Sequence, residues 1–146
     1  MSKEPTDDIH ATSALLCSML IEGKDNSVSC INVFDALNFS GEPEQMPESP
    51  PLMTRGLVAV KASQPGERTF TIDLYRPTGK LGQPSGHTVT AVLGDLGGGI
   101  AAANLLLNLS IVVKEPGLHW FEVRVGDHVL TRIPLVIAYA QHPPAQ

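Results

Sequence analysis

Nearly every apolar run in this chain alternates with a period of two, and that constrains its fold more than any other feature. In NLLLNLSIVV, residues 104–113, Leu105, Leu107, Leu109, Ile111 and Val113 take the odd positions, with Asn104, Asn108 and Ser110 between them. Successive side chains of a strand point to opposite faces, so the pattern predicts a strand with one buried face. Residues 68–76 repeat it, with Phe70, Ile72 and Leu74 on one side and Thr69, Thr71, Asp73 and Tyr75 on the other. Residues 87–93 place Val89, Ala91 and Leu93 against Thr88 and Thr90, and residues 57–62 form a shorter, less regular run.

Turn residues fall between these runs. Gln64-Pro65-Gly66-Glu67, Arg76-Pro77-Thr78-Gly79 and Lys114-Glu115-Pro116-Gly117 each separate two of them. This spacing predicts an all-β chain, an antiparallel Ig-like β-sandwich of about seven or eight strands. Two stretches are ambiguous. TSALLCSMLI, residues 12–21, alternates Leu15, Cys17, Met19 and Ile21, yet Leu15, Leu16, Met19 and Leu20 would also make a helical stripe with Thr12 as its cap. A strand is expected, because residues 27–39 follow a turn and can pair back on it. Residues 100–107, IAAANLLL, could open a helix, but the alternation that continues to Val113 favours a strand.

SGEPEQMPESPPLMT, residues 40–54, carries four prolines and three glutamates and cannot join a ladder throughout. It reads as an extended surface loop with polyproline character, either a crossover or a binding loop. The expected organisation is a flexible N-terminus over residues 1–11, one domain over 12–139 and a flexible tail over 140–146. At 146 residues one core is the default. No window reaches the roughly 18 apolar residues of a membrane span, and the polar, acidic start MSKEPTDDIH does not resemble a signal peptide. The expectation is a soluble, cytoplasmic protein. A net charge of −5, with ten scattered Lys and Arg, argues against nucleic acid and against an anionic membrane surface.

Cys17 and Cys30 could meet across a hairpin. A tight turn at Gly23-Lys24 would put them opposite one another; a turn over Gly23-Lys24-Asp25-Asn26 puts Cys17 opposite Asn32 and leaves Cys30 a diagonal neighbour, about 7–8 Å away. The second turn has the better residues, so free buried thiols in a reducing compartment are expected.

GLHWFEVRVGDHVLTRIPLVI, residues 117–137, reads as a hairpin turning at Gly126-Asp127. A two-residue turn pairs Val125 with His128 and Val123 with Leu130. Pro134 donates no ladder hydrogen bond, so the return strand is expected at a sheet edge or with a bulge there. Trp120 shares a face with Glu122 and Arg124, opposite Phe121. Trp120, Glu122, Arg124 and Pro134 are therefore the candidate partner-binding residues, unless Trp120 packs under a loop or at the rim of the sandwich.

Taken together, NLLLNLSIVVKEPGLHWFEVRVGDHVLTRIPLVI, the preceding PGERTFTIDLYRPTGK, and ALLCSML with VSCINVFD near the start resemble a family of small uncharacterised bacterial proteins classed as a domain of unknown function. The resemblance runs from about residue 13 to residue 137. It implies an Ig-like sandwich and brings no catalytic residues with it.

Chemistry is sparse. GDLGGG, residues 94–99, lacks the lysine and serine of a phosphate loop and reads as a hairpin or bulge. His10, His87, His119, His128 and His142 show no metal-ligand spacing, and no serine sits on a nucleophile elbow. The expected function is a non-catalytic interaction module, without cofactor, that binds a protein partner or a second copy through a sheet edge or exposed face. The alternative is a small-ligand or metal-assisted site in loops at one end, built from residues 94–99 with His87 and Asp95.

Overall fold

The computed structural model describes residues 8–25, 27–40 and 52–140. It contains nine strands: β1 (His10–Glu22), β2 (Val28–Phe34), β3 (Ala36–Ser40), β4 (Leu52–Ala62), β5 (Gly66–Tyr75), β6 (His87–Gly97), β7 (Ile100–Ile111), β8 (Gly117–Val125) and β9 (His128–Ala140). The chain is all-β; among the described residues no helix is long and apolar enough to cross a membrane. Residues 12–21 are a strand and residues 100–107 open another, as the alternation predicts.

The strands form one sheet in the order β2-β1-β4-β7-β6-β5-β8-β9-β3. Every neighbouring pair is antiparallel except β3 with β9. Nine strands appear in place of the expected seven or eight because residues 27–39 split at Asp35. Up to Phe34 the chain pairs with β1, and from Ala36 it pairs with β9. The outermost strands of the sheet are thus consecutive in sequence, joined through Asp35, whose carbonyl oxygen accepts the Val136 N–H at 2.8 Å. That junction draws the two ends of the sheet together and makes it nearly barrel-shaped.

A second bend lies in β6. His87 to Leu93 pair with β5, whereas Gly94, Asp95 and Gly97 pair with β7. The core fills the space that the curved sheet encloses. Leu105, Leu107, Leu109, Ile111 and Val113 are all buried, with Asn104, Asn108 and Ser110 exposed. Phe70, Ile72 and Leu74 meet them from β5, Phe121 and Val123 from β8, and Ile133, Leu135 and Ile137 from β9. Burying side chains of this size is worth roughly 1.5–3 kcal/mol each.

Four local expectations change. The β1–β2 loop has five residues, closed by the Gly23 N–H to the Ser27 carbonyl at 2.7 Å, so Cys17 stands opposite Val33 rather than Asn32. A bulge at Leu130 pairs Val123 with Thr131 and Arg124 with Val129, while Val125 faces His128 as expected. Leu52 to Thr54, read as the end of the proline-rich loop, belong to β4, because Met53 and Thr54 fit the β7 register; residues 41–51 lie outside the described residues. Ile9 is buried and β1 begins at His10, within the stretch expected to be a flexible N-terminus. The expected C-terminal tail, and His142 with it, lies outside the described residues apart from Ala140, which ends β9.

Candidate functional site

The face that the sequence singles out is largely engaged within the chain. β5, β8 and β9 lie side by side, so that Tyr75, Trp120 and Pro134 form one row across the sheet and Asp73, Glu122 and Arg132 the next. Trp120 stacks on Tyr75, with ring centroids 5.8 Å apart and planes 14° from parallel. Arg124 reaches Asp73, Nη2 to Oδ2 at 3.0 Å, and the other oxygen of Asp73 accepts the Gly86 N–H at 2.6 Å. Glu122 accepts from Nε of Arg132 at 3.2 Å.

Two carboxylates directly opposite one another would repel if left alone. The two arginines supply the compensation, and Asp73 and Glu122 sink to 3% and 9% exposure. Along the same flank the chain from Tyr75 to Gly86 folds back beside β5. The Leu74 N–H donates to the Pro84 carbonyl, the Gly82 N–H to the Leu74 carbonyl, and Nε of Arg76 to Oε1 of Glu115 at 2.8 Å. Trp120, Glu122 and Arg124 are therefore brought together, but as members of an internal network. Sequence reasoning missed its other members, Asp73, Tyr75 and Arg132. Alternation had already put Asp73 and Tyr75 on the polar side of β5; pairing β5 with β8 would have found them.

Pro134 is exposed, yet β9 is not the outermost strand, because β3 lies beyond it; nor is the bulge of β9 at the proline. The Val136 N–H points to Asp35, and backbone groups two residues apart share an edge. The missing N–H of Pro134 thus faces away from β8, just before β3 begins, and breaks no ladder bond. There β1 and β9 approach each other, and Ala14, Leu15, Leu16, Val33, Phe34, Asp35, Ile133 and Pro134 line a cleft of about 320 Å³.

His119, on the core side of β8, is 2% exposed, and its Nδ1 lies 3.1 Å from the Gly117 carbonyl. Burial holds its pKa below the ordinary histidine value. His87 and Asp95, of the alternative site, stand eight residues apart on β6 with its bend between them, at most about 25 Å along the strand at roughly 3.3 Å per residue. Gly97, Gly98 and Gly99, all with positive φ, make the β6–β7 turn, and Asp95 accepts the Gly97 N–H at 2.8 Å. Among the described residues no cluster of three or more His, Cys, Asp or Glu is placed to hold a metal.

A different face is open. Among the described residues β4 accompanies β1 only as far as Cys17, and beyond it β1 and β2 continue as a two-stranded hairpin. Met19 lies opposite Ile31 and Cys17 opposite Val33. Met19 is 50% exposed, Ile21 47%, Ile31 38% and Val33 58%. Leu20, Val28 and Cys30, in the alternate positions, are half-buried. Asn32, between the two exposed β2 residues, has φ of 56°, a conformation that asparagine tolerates better than most residues. Cys17 is fully buried, and burial, reinforced by the nearby Cys30 thiol, pushes its pKa up. Both cysteines are free. The hairpin tip, Glu22, Gly23, Ser27 and Val28, also borders a groove of about 600 Å³ with Lys61, Gly94, Leu96 and Asn104.

No curated protein sequence matches the chain. Among solved structures it is similar to a β-glucosidase from Listeria innocua, with TM-score 0.51, 14% identity and 91% of this chain covered. The same enzyme in complex with isofagomine gives TM-score 0.50 at 14% identity, again over 91% of the chain. The chain spans only 16% of the length of either, and identity this low speaks for the fold alone. Residues 12–138 match a family of unknown function (DUF6941), and the chain belongs to that family.

Proposed function

We propose that the protein is a non-catalytic interaction module whose contact surface is the solvent face of the β1–β2 hairpin. One observation carries the reading: Met19, Ile21, Ile31 and Val33 are large, apolar and exposed on two paired strands. Apolar patches of several hundred Å² on a monomer mark contact sites, and a two-stranded hairpin is marginal without packing. The face around Trp120 contributes less, because its polar and aromatic groups already have partners. The fold belongs to the same proposal: the sheet is read as an Ig-like sandwich, which is supported by the change of partner within β6 and by the crossing at Asp35. A cytoplasmic location is supported by the two free thiols, and the deficit of clustered cations speaks against nucleic acid or membrane as the partner.

The test compares proteins that co-purify with tagged wild type and with Val33→Glu from the native cell. Loss of a stoichiometric partner from the variant alone is the expected result; identical partners for both would remove the hairpin from the reading. The groove at the hairpin tip favours a second reading, a small-ligand site, since its volume lies in the range of ligand pockets. Native mass spectrometry of the purified chain showing a retained small molecule would favour it.

A further inference from the structure

We infer that Cys17 and Cys30 form a peroxide-sensitive dithiol site, at which oxidation joins them in one intramolecular disulfide and fastens the β1–β2 hairpin onto the sheet beneath it. The site is independent of what contacts the outer face of the hairpin.

Strand pairing alone keeps the two cysteines apart, since Cys17 stands opposite Val33 and Cys30 opposite Leu20, three positions further along β1. A bend closes that gap. Leu16 and Cys17 are both buried and Ser18 and Met19 both exposed, which a straight strand with alternating faces does not give. At the same step of β2, Asn32 has φ of 56°. The hairpin tip shows where the bend leads. Glu22, Gly23, Ser27 and Val28 border one groove with Lys61, Ala102 and Asn104. Lys61 pairs with His10, at the other end of the 13-residue β1. A straight strand would hold Glu22 about 40 Å from there, at roughly 3.3 Å per residue. The hairpin therefore folds back over the outer side of β4 and β7.

Cys17 lies at the root of that fold. Opposite it on β4 is the exposed Arg55, whose Nη1 donates to the Ser18 carbonyl at 3.2 Å. Side chains directly opposite one another on antiparallel strands project to the same side. Leu16 belongs to the core cluster and Cys17 does not, yet Cys17 is 0% exposed. The folded-back hairpin supplies its cover: Leu20, Val28 and Cys30 are half-buried, and the Cys30 thiol is in hydrogen-bonding contact with that of Cys17. Burial, and then this contact, hold the Cys17 thiol protonated at neutral pH.

The half-buried Cys30 is the sulfur that an oxidant reaches first. Its attack on hydrogen peroxide breaks the O–O bond, giving a sulfenic acid and one water. The sulfur of Cys17 then attacks that of Cys30, and the S–O bond breaks. Hydroxide leaves with the Cys17 proton as a second water, so two thiols and one peroxide give one disulfide and two waters. The S–S bond of about 2.05 Å draws the thiols closer than contact. The hairpin can follow, because β4 does not pair with it beyond Cys17 among the described residues.

The test treats the reduced full chain with hydrogen peroxide, alkylates the remaining thiols, digests with trypsin and reads the peptides by mass spectrometry. Lys24 lies between the two cysteines, so their peptides stay together only through a disulfide. The expected result is loss of both thiols together, with joined Cys17 and Cys30 peptides at a yield independent of protein concentration. Cys17→Ser should instead let Cys30 pass on to the sulfinic acid. Equilibration of the wild type with glutathione needs no substitution, and should favour the disulfide roughly ten-fold or more in the folded chain over the chain in urea. Sulfinic acid at Cys30 of the wild type with Cys17 still a thiol overturns the inference. So does a disulfide between two chains, or a glutathione equilibrium no more favourable than in urea.

Discussion

Two outward faces of one curved sheet are built to opposite rules. On β5, β8 and β9 the outer side chains are long and polar or aromatic, and they are used on one another: Tyr75 with Trp120, Asp73 with Arg124 and Gly86, Glu122 with Arg132. On the β1–β2 hairpin they are apolar and face solvent. The difference shows that polarity alone does not mark a binding face. Charged groups in adjacent strands can satisfy each other in place, whereas the exposed apolar side chains of the hairpin lie beyond the reach of the core.

The comparison is sharpest at Asp73, where the largest effect is expected. Asp73→Ala removes the partner of both Arg124 and the Gly86 N–H, and Nε of Arg124 is already buried without a hydrogen bond among the described residues. Leaving a charge and a donor unpaired should cost about 2–4 kcal/mol, moderated by the partial exposure of Arg124. Urea denaturation would show this as a lower midpoint. A loss under about 1 kcal/mol would mean that the engaged face is not held together through Asp73.

A smaller effect reaches the same region from behind, through His119. Its folded pKa is depressed, so its contribution to stability is fully present above the unfolded value near about 6.5. Below that pH the unfolded chain binds a proton that the buried ring resists, and stability falls as pH drops toward the folded pKa. Urea midpoints recorded from pH 7.5 down to 5.5 should therefore decline, and His119→Leu should flatten that part of the decline. A slope unchanged by the substitution would assign it to other groups.

The strands were legible where burial and pattern agree. Residues 104–113 sit on one flat stretch of sheet, and their alternation maps directly onto buried and exposed. The β1 stripe was not legible in the same way. Leu15, Cys17, Met19 and Ile21 alternate evenly, yet Leu15 and Cys17 are covered and Met19 and Ile21 are open, because β4 stops pairing after Cys17. Periodicity reports which residues share a face and not what lies over it. The network around Trp120 was only partly legible for a related reason. Its residues were identified strand by strand, whereas Asp73, Tyr75 and Arg132 become their partners only through pairings between separate strands. From Pro134 the sequence predicts a sheet edge or a bulge at that residue, whereas β3 lies beyond β9 and the bulge is at Leu130; the proline instead faces the cleft where the chain crosses from β2 to β3.

The smallest effect belongs to the hairpin and separates the two faces most directly. Val33→Ser removes two methyl groups that are already more than half in water, so at concentrations where the chain is monomeric its stability should move by no more than about 0.5 kcal/mol. Serine is the poorer strand former, and that accounts for whatever small loss appears. The engaged face gives the reverse profile, in which removing one side chain strips its neighbours of partners inside the same molecule. If Val33→Ser lowered the monomer's urea midpoint as much as Asp73→Ala does, Val33 would be packed against its own chain, and the contrast between an internally satisfied face and an open one would fail.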